Sequence, residues 1–564
     1  MLLPRNDKMN IFKLIKYQLY LLQLENYELG RFWKLLFKKG FWPKGEQRKN
    51  LVWTQKALAV FVLAVILHIG LPIVLYWKLS NGFLVASSMY YVASLGFFLL
   101  LTTCYMLLYT LAVLLLWPID WLVKQIIISR AQFKIKKLND LKIIGIAGSY
   151  GKTTMKEVLK SVLSSKYPIR QAQGRQVLST PESVNTPVGI ARWVLKNFGS
   201  SSFSNLTPRP LSPPGEEESN IEVAIIEMGE HYRGDVEEIC NIAKPDVAVV
   251  TGINEAHLER MKTLENITDT VFEVVSKSKA GALVVLNGDD KNVVDHYKEY
   301  VWPDHRIEKY QISNFQFPIF DTEKLGWDAE VSLSVIARSQ TTKQSLSNKE
   351  IAALPAVARN DNGKIKVFIN LLGEYALGDV EAAIKIAESL GMSSEEILKG
   401  IANIKPVEHR LQPIKSAGGV LVIDDAYNGN PAGVAEAIKV LSRFENRRKL
   451  FITPGLVETG KATAEIHRKI GQQLAGVADV VILIKNSVTG YIEEGISQSV
   501  IARSQTTKQS YQEQGIVAPS DAFGLAMTKV IWFETAQEAH SSLSKILQPN
   551  DVIVFQNDWG DQYI

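Results

Sequence analysis

Ile143-Ile144-Gly145-Ile146-Ala147 runs directly into Gly148-Ser149-Tyr150-Gly151-Lys152-Thr153-Thr154, and this stretch decides the fold. The first five residues are an apolar run of strand length. From Lys152 onward, Met155, Val158, Leu159, Val162 and Leu163 recur at helical spacing. A strand, a Gly-rich turn and a helix in that order make a phosphate cradle. Backbone N–H groups at the helix start face the anion, Lys152 reaches the β- and γ-phosphates, and the Thr153 hydroxyl can ligate Mg²⁺. Ile146 stands where the eight-residue form of the motif has Gly, so the match is to the shorter G-x-x-G-K-T-T form. Gly148, Ser149, Tyr150, Gly151, Lys152, Thr153 and Thr154 are therefore the candidate nucleotide contacts, with nucleotide phosphates and Mg²⁺ as the expected ligands.

Upstream the composition changes. The 564 residues carry a formal charge of +5, which alone would suggest a nucleic-acid partner. The charge is split, however: +13 lies within residues 1–142 and −8 in the rest. Ala57–Tyr76 has no formal charge, and neither has Phe83–Trp117. A helix needs about 20 apolar residues to cross a bilayer. We expect two spans, the second at about 88–117 after a turn at Ser80-Asn81-Gly82. Lys/Arg residues flank both, so the simplest topology is a hairpin in the cytoplasmic membrane with both ends in the cytoplasm. Residues 10–40 mix Leu, Ile, Phe, Trp and Tyr with Lys/Arg. They suit either an interfacial helix on anionic lipid or a helix docked on the protein's own body. Two cysteines, Cys104 and Cys240, exclude a disulfide framework. Hydrophobic residues at 46% exclude a disordered chain.

Three segments read as inserts. Ser334–Ser345 (SVIARSQTTKQS) recurs identically at Ser499–Ser510 between unrelated flanks, and 200–220 is Pro/Ser/Glu-rich. A structural repeat would keep a hydrophobic pattern and diverge along its length, so these segments are expected in surface loops.

The stretch GIAGSYGKTTMKEVL resembles the phosphate loop of the Mur ligases, ATP-dependent amide ligases of peptidoglycan precursor synthesis. Further blocks follow in that family's order: Asn185-Thr186-Pro187-Val188-Gly189, Glu227-Met228-Gly229, Ala256-His257-Leu258-Glu259-Arg260, Asn287-Gly288-Asp289-Asp290 and His409-Arg410-Leu411. Asp424-Asp425-Ala426-Tyr427-Asn428-Gly429-Asn430-Pro431 is most like the D-D-S-Y-N-A-N-P signature of the MurF branch, which adds D-alanyl-D-alanine. The resemblance implies an α/β body. A P-loop central domain would cover 141–412 and a smaller Rossmann-like domain 413–564. Before them come a basic amphipathic segment (1–56), two transmembrane helices (57–120) and a basic linker (121–140). It also implies that Lys152, Glu227 and His257 are catalytic, with Thr153 on one Mg²⁺ and Glu227 and His257 on a second. Arg410 would meet phosphate and Asp425 the ribose. Asn185, Thr186, Asn428 and Asn430 would contact substrate. The partners implied are a UDP- or lipid-linked cell-wall peptide and an amino acid or dipeptide, with membrane lipid and no nucleic acid.

Four departures from the family pattern stand out. Val271 occupies the place of its carbamoylated lysine, although Glu273 remains. Tyr375, Ala376 and Asp379 replace the His and two Asn of its adenine segment. Phe555-Gln556-Asn557-Asp558 replaces a terminal K-G-S. The membrane hairpin stands where a UDP-binding domain is usual, so a lipid-linked acceptor or a partner subunit would supply that recognition. Three functions compete: MurF-type ligation, the same chemistry on a poly-γ-glutamate or folate-like acceptor, and a non-catalytic nucleotide-binding membrane scaffold.

Overall fold

The computed structural model describes residues 11–24, 27–39, 51–80, 90–138, 140–166, 176–198, 221–255, 258–331, 333, 357–359, 365–416, 418–427, 429–456, 459–499 and 528–556. The contacts divide the chain into two units, Met1–Ile126 and Ile127–Ile564.

The first unit is helical: α1 (Ile11–Leu24), α2 (Leu29–Lys39), α3 (Gln55–Ser80) and the start of α4 (Tyr90–Lys136). The sequence at 10–40 forms two helices rather than one. Tyr17, Leu19, Leu21 and Leu22 of α1 are buried in one cluster with Phe32, Leu36, Ala57, Val60 and Ala64. The apolar face of this segment is thus spent on the protein's own helices. Asp120 pairs with Lys56 and Lys124, both at 2.9 Å. Helix α4 passes Pro118 and runs on to Lys136, so most of the expected 121–140 linker is helix. The reason is packing: Ile128, Ala131 and Ile135 are buried in a core of the second unit. Among the described residues one stretch, Thr110–Lys136, is long and apolar enough to cross a membrane by length and composition.

The second unit contains three sheets. The first is all parallel, in the order β2 (Gln176–Ser179), β3 (Ile221–Glu227), β1 (Lys142–Ala147), β4 (Val247–Val250), β5 (Leu283–Asn287), β6 (Arg306–Tyr310). Its central strands β1, β4 and β5 are nearly continuous apolar runs because both faces are covered, whereas the edge strand β6 is mostly exposed. Helix α5 (Lys152–Ser164) covers one face with Met155, Val158, Leu159 and Val162. Helices α6 (Pro187–Asn197), α7 (Asp235–Ile242) and α9 (Leu264–Ser276) cover the other, while the short α8 (Leu258–Met261) leads into α9. The chain leaves β1 toward β3 on one side and returns to β4 on the other. The order therefore reverses at β1, and the crevice outside its carboxyl end is the expected ligand site of such a sheet.

A second, antiparallel sheet follows α10 (Lys291–His296): β7 (Gln316–Asp321), β8 (Gly326–Val331), β10 (Ile365–Ile369), β9 (Val357–Arg359). The insert at 334–345 lies outside the described residues, in the connection between β8 and β9. Helices α11 (Tyr375–Ser389) and α12 (Ser394–Ala402) close this part. The third sheet runs β11 (Gln412–Lys415), β12 (Leu421–Asp425), β16 (Val552–Gln556), β13 (Lys449–Thr453), β14 (Val480–Ile484), β15 (Lys529–Phe533), with only β11 antiparallel. Helices α13 (Pro431–Ser442), α14 (Thr463–Leu474) and α15 (Ala536–Ile546) pack on it. Four of these strands, β12, β13, β14 and β16, are built around apolar runs: Leu421–Ile423, Leu450–Ile452, Val480–Ile484 and Val552–Phe555. Strands β11 and β15 sit at the sheet edges, where the apolar pattern is weakest. The inserts at 200–220 and 500–510 lie outside the described residues.

Candidate active site

The Gly-rich loop leaves β1 at Gly148, whose φ of +147° and close neighbours both demand glycine. A Cβ there would fall 2.2 Å from Thr251 Oγ1. Gly151, at φ +79°, opens α5. Ser149 donates its N–H to Gly252 O at 2.7 Å, tying the loop to the end of β4. Its hydroxyl is buried without a hydrogen-bond partner, a polar group left for a ligand. Tyr150 lies flat against Gly252, where a side chain would collide with its ring. Its hydroxyl donates to Asp290 Oδ2 at 2.6 Å. Burial and the Asp290 charge push the phenol far up, so it stays a donor. Asp290 also accepts from Ile253 N and Val293 N, so one carboxylate braces the loop and caps α10. Thr154 is buried and faces Tyr375.

The cations of the loop are paired with carboxylates. Lys152 Nζ donates to Gly148 O and to both Glu230 oxygens, at 2.9 and 2.8 Å. The parallel register sets Glu227 beside Ile146, at the carboxyl end of β3. There Thr153 Oγ1 donates to Glu227 Oε1 at 3.1 Å, and Lys156 Nζ meets Glu227 Oε2 at 2.9 Å. Lys156 is 1% exposed. Beneath it a cavity of about 420 Å³ is lined by Thr153, Lys156, Lys160, Glu182, Lys405 and Glu408, among others.

The other wall comes from β12 and the turn before β11. Arg410 donates to Tyr427 O at 2.6 Å and lies over the Tyr427 ring, 4.8 Å from its centroid. Asp425 accepts from Leu411 N at 3.2 Å, and burial raises its carboxyl to about 6 against the pull of Arg410. Asn430 caps α13 through Gly433 N and accepts from Asn254 Nδ2 at 3.3 Å. Ser183 Oγ and Tyr427 Oη are 2.7 Å apart. These two contacts join the walls, and Tyr375 feels the Asp425 charge as well as Thr154. Thr186 caps α6, and the carbonyl of Asn185 accepts from Gly229 N. The first of the candidate substrate contacts thus lies beside Glu227-Met228-Gly229. His257 and Asn428 lie outside the described residues.

Residues 146–387 match the Mur ligase middle domain, and residues 409–556 match the Mur ligase, glutamate ligase domain. By these two domains the chain belongs to the Mur ligase family. The UDP-N-acetylmuramoyl-tripeptide–D-alanyl-D-alanine ligase of Bacillus subtilis is 24% identical over 335 residues, covering 58% of this chain and 59% of that protein. The Escherichia coli ligase of the same name is 23% identical, covering 61% and 65%. The chain thus spans about three fifths of the length of these relatives. The fold is shared with a MurF ligase from Thermotoga maritima solved with ADP: TM-score 0.56, 20% identity, 78% of this chain and 82% of that one.

Mur ligases use ATP and Mg²⁺, and the residues present fit the nucleotide and one metal. The buried, unpartnered Ser149 hydroxyl and the glycine-only geometry at Gly148 suit a phosphate. Thr153 directs its O–H proton at Glu227, which turns the oxygen lone pairs outward. Of the positions where the family holds a second metal, Glu227 is paired with Lys156, His257 lies outside the described residues, and Val271 takes the lysine's place. Val271 is fully buried, in one apolar cluster with Met228, Val236, Cys240 and Ile267. Glu273 Oε2 accepts from Glu237 N at 2.8 Å and caps α7 instead. Among the described residues no group of three His, Cys, Asp or Glu side chains is gathered for a metal. His467 is also structural. Its Nδ1–H points at Thr463 O and its Nε2 accepts from Leu456 N, so burial holds it neutral.

Sequence reasoning missed Lys156 and Glu230. Lys156 is one turn beyond Lys152 and therefore on the same helix face, inside an apolar stripe. That position was its available signal. Glu230 had none beyond following Glu227-Met228-Gly229.

Proposed function

We propose that the chain is a membrane-anchored, ATP-dependent amide ligase of the MurF type. The observation that carries this is a single cleft. One wall holds Lys152, Thr153 and Glu227, the other Arg410 and Asp425, and Ser183–Tyr427 and Asn254–Asn430 contacts join them. An oxygen of the acceptor carboxylate attacks the γ-phosphorus and ADP leaves. The amine nitrogen then attacks the acyl carbon, phosphate leaves, and the nitrogen's proton passes to solvent. Such phosphoryl transfer needs positioning and charge neutralisation more than covalent chemistry. Lys152 supplies a cation at the loop, and Thr153 would hold the Mg²⁺ that offsets phosphate charge. Asp425, once ionised, accepts from the ribose, and Arg410 meets phosphate. Closure of the two walls excludes water from the acyl phosphate.

The acceptor we propose is a UDP- or lipid-linked cell-wall peptide, and the amine D-alanyl-D-alanine. Anchoring is supported by the apolar α3 and by the part of the Thr110–Lys136 stretch that precedes the turns packed into the second unit. The latter leaves Leu114, Trp117, Trp121 and Leu122 about half exposed, as lipid contact requires. Both ends of the hairpin would lie in the cytoplasm. The test is ADP release by the full chain in lipid nanodiscs, with D-alanyl-D-alanine or glutamate and with UDP-linked or lipid-linked acceptor. Turnover needing acceptor and amine together, lost in Lys152→Ala, is expected. Nucleotide binding without turnover refutes the ligase in favour of a scaffold. Equal use of a soluble UDP-linked acceptor removes the lipid-linked part.

A further inference from the structure

Glu227 is a carboxylate at the head of α5 that a divalent ion would compete for, and a cation inside the protein already pairs with it. Its Oε2 is 2.9 Å from Lys156 Nζ and its Oε1 is 3.1 Å from Thr153 Oγ1. The backbone also fixes it, since Glu227 N donates to Thr180 Oγ1 at 3.1 Å. The Lys156 side chain is 1% exposed and that of Glu227 9%. A buried ion pair of this kind is hard to open, because whichever partner is left behind is an uncompensated charge. Of the family's other second-metal positions, Val271 is in an apolar core, Glu273 accepts from the start of α7, and His257 lies outside the described residues.

We propose that Lys156 is a built-in replacement for a second divalent cation. Its ammonium supplies fixed positive charge behind Thr153, and the nucleotide-loaded chain binds one divalent ion rather than two. Lys156 acts through Glu227 and is a positioning residue: it holds the Glu227 carboxyl where it accepts the Thr153 proton and places a positive charge beside it. The inference rests on the ATP-dependent reading of the site.

The experiment counts metal directly. The full chain in detergent is titrated with Mn²⁺ in the presence of AMP-PNP, and bound ion is read by electron paramagnetic resonance. Wild type is expected to bind one Mn²⁺ per nucleotide. Lys156→Gln frees Glu227 and raises the count toward two, whereas Lys156→Arg keeps it at one. A purely structural lysine would not change the count. Glu227 in Lys156→Gln is buried without its partner, so a second variant, Lys156→Met with Glu227→Gln, removes both charges and is expected to stay at one. Two Mn²⁺ on wild type, or one on folded Lys156→Gln, overturns the proposal. AMP-PNP that fails to bind wild type at all overturns the ATP-dependent reading itself, and the proposal with it.

Discussion

Replacing Glu230 by Gln is expected to tighten nucleotide binding. Lys152 directs all three ammonium protons inward, one at Gly148 O and two at the Glu230 oxygens. An ammonium has only three donors. A phosphate can therefore engage Lys152 only as Glu230 gives up part of its hold. The Glu230 side chain is 1% exposed, so water and salt screen it little. At an effective dielectric of about 20, a carboxylate charge about 6 Å from a phosphate charge repels it by about 3 kcal/mol. That corresponds to roughly two powers of ten in Kd. Gln keeps an acceptor oxygen for Lys152 and removes the charge. The nucleotide-free variant loses the counter-charge of a largely buried lysine, at a cost of about 3 kcal/mol in stability. Calorimetric titration of AMP-PNP with Mg²⁺ should show a Kd lower by about 30- to 100-fold. Thermal unfolding should show a Tm below wild type without nucleotide and a much smaller gap at saturation. An unchanged or weaker Kd would refute the reasoning and place Glu230 among the groups that bind the nucleotide complex.

Asp425 has its carboxyl raised to about 6 by burial, and it can accept a ribose hydroxyl only after losing its proton. Nucleotide affinity should therefore climb as pH rises through about 6, and Asp425→Asn should flatten that profile in equilibrium binding. Burial also lifts Glu273 from an ordinary 4.5 to about 7. The folded state then holds a proton that the unfolded chain has lost, so its contribution to stability is present below about 4.5 and falls away as pH rises to about 7. Glu273→Gln should remove that slope from urea midpoints measured across the range. Asn430→Ala loses the cap of α13 and the bridge to Asn254. A loss of about 1 kcal/mol in stability is expected from the cap alone, together with a raised KM if the bridge sets the closed cleft.

The phosphate loop was legible because its signal is local: glycine spacing, one lysine and an apolar strand leading into a helix. The parallel strands were legible for a related reason, since β1, β4, β5 and β14 are buried on both faces and read as unbroken apolar runs. The antiparallel sheet β7–β10 was not. Its strands mix Asp, Glu, Lys and Gln with apolar residues, and an insert interrupts them. The reach of α4 was missed because Pro118 and the lysines after it look like an end. Neither stops a helix whose later turns are buried. Lys156 was missed because a charged residue on a helix is by default assigned to water. Nothing local announces that a glutamate from β3, some seventy residues away, will receive it. Chemistry that depends on one residue was visible in the sequence; chemistry that depends on pairs had to wait for the fold.

Val271 is the sharpest instance, because its loss of a lysine can be read two ways. If the substitution were isolated, Val271→Lys would restore a metal-binding position. The surroundings argue otherwise. The site has no exposure at all, and its cluster holds Met228, Val236 and Cys240. An ammonium placed there is desolvated without a partner, which costs several kcal/mol or drives the amine neutral. The nearest family-like carboxylate, Glu273, is held by Glu237 N. Glu227 is held by Lys156. A lysine at 271 therefore leaves the Lys156–Glu227 pair in place and does not by itself free that carboxylate for a metal. Val271→Lys is expected to unfold in urea at least about 3 kcal/mol more easily than wild type, with Mn²⁺ stoichiometry still at one in the presence of AMP-PNP and bicarbonate. A stable Val271→Lys chain that takes up a second Mn²⁺ would show that Lys156 and Glu273 yield readily, and that the apolar core around residue 271 is the sole obstacle to a second metal.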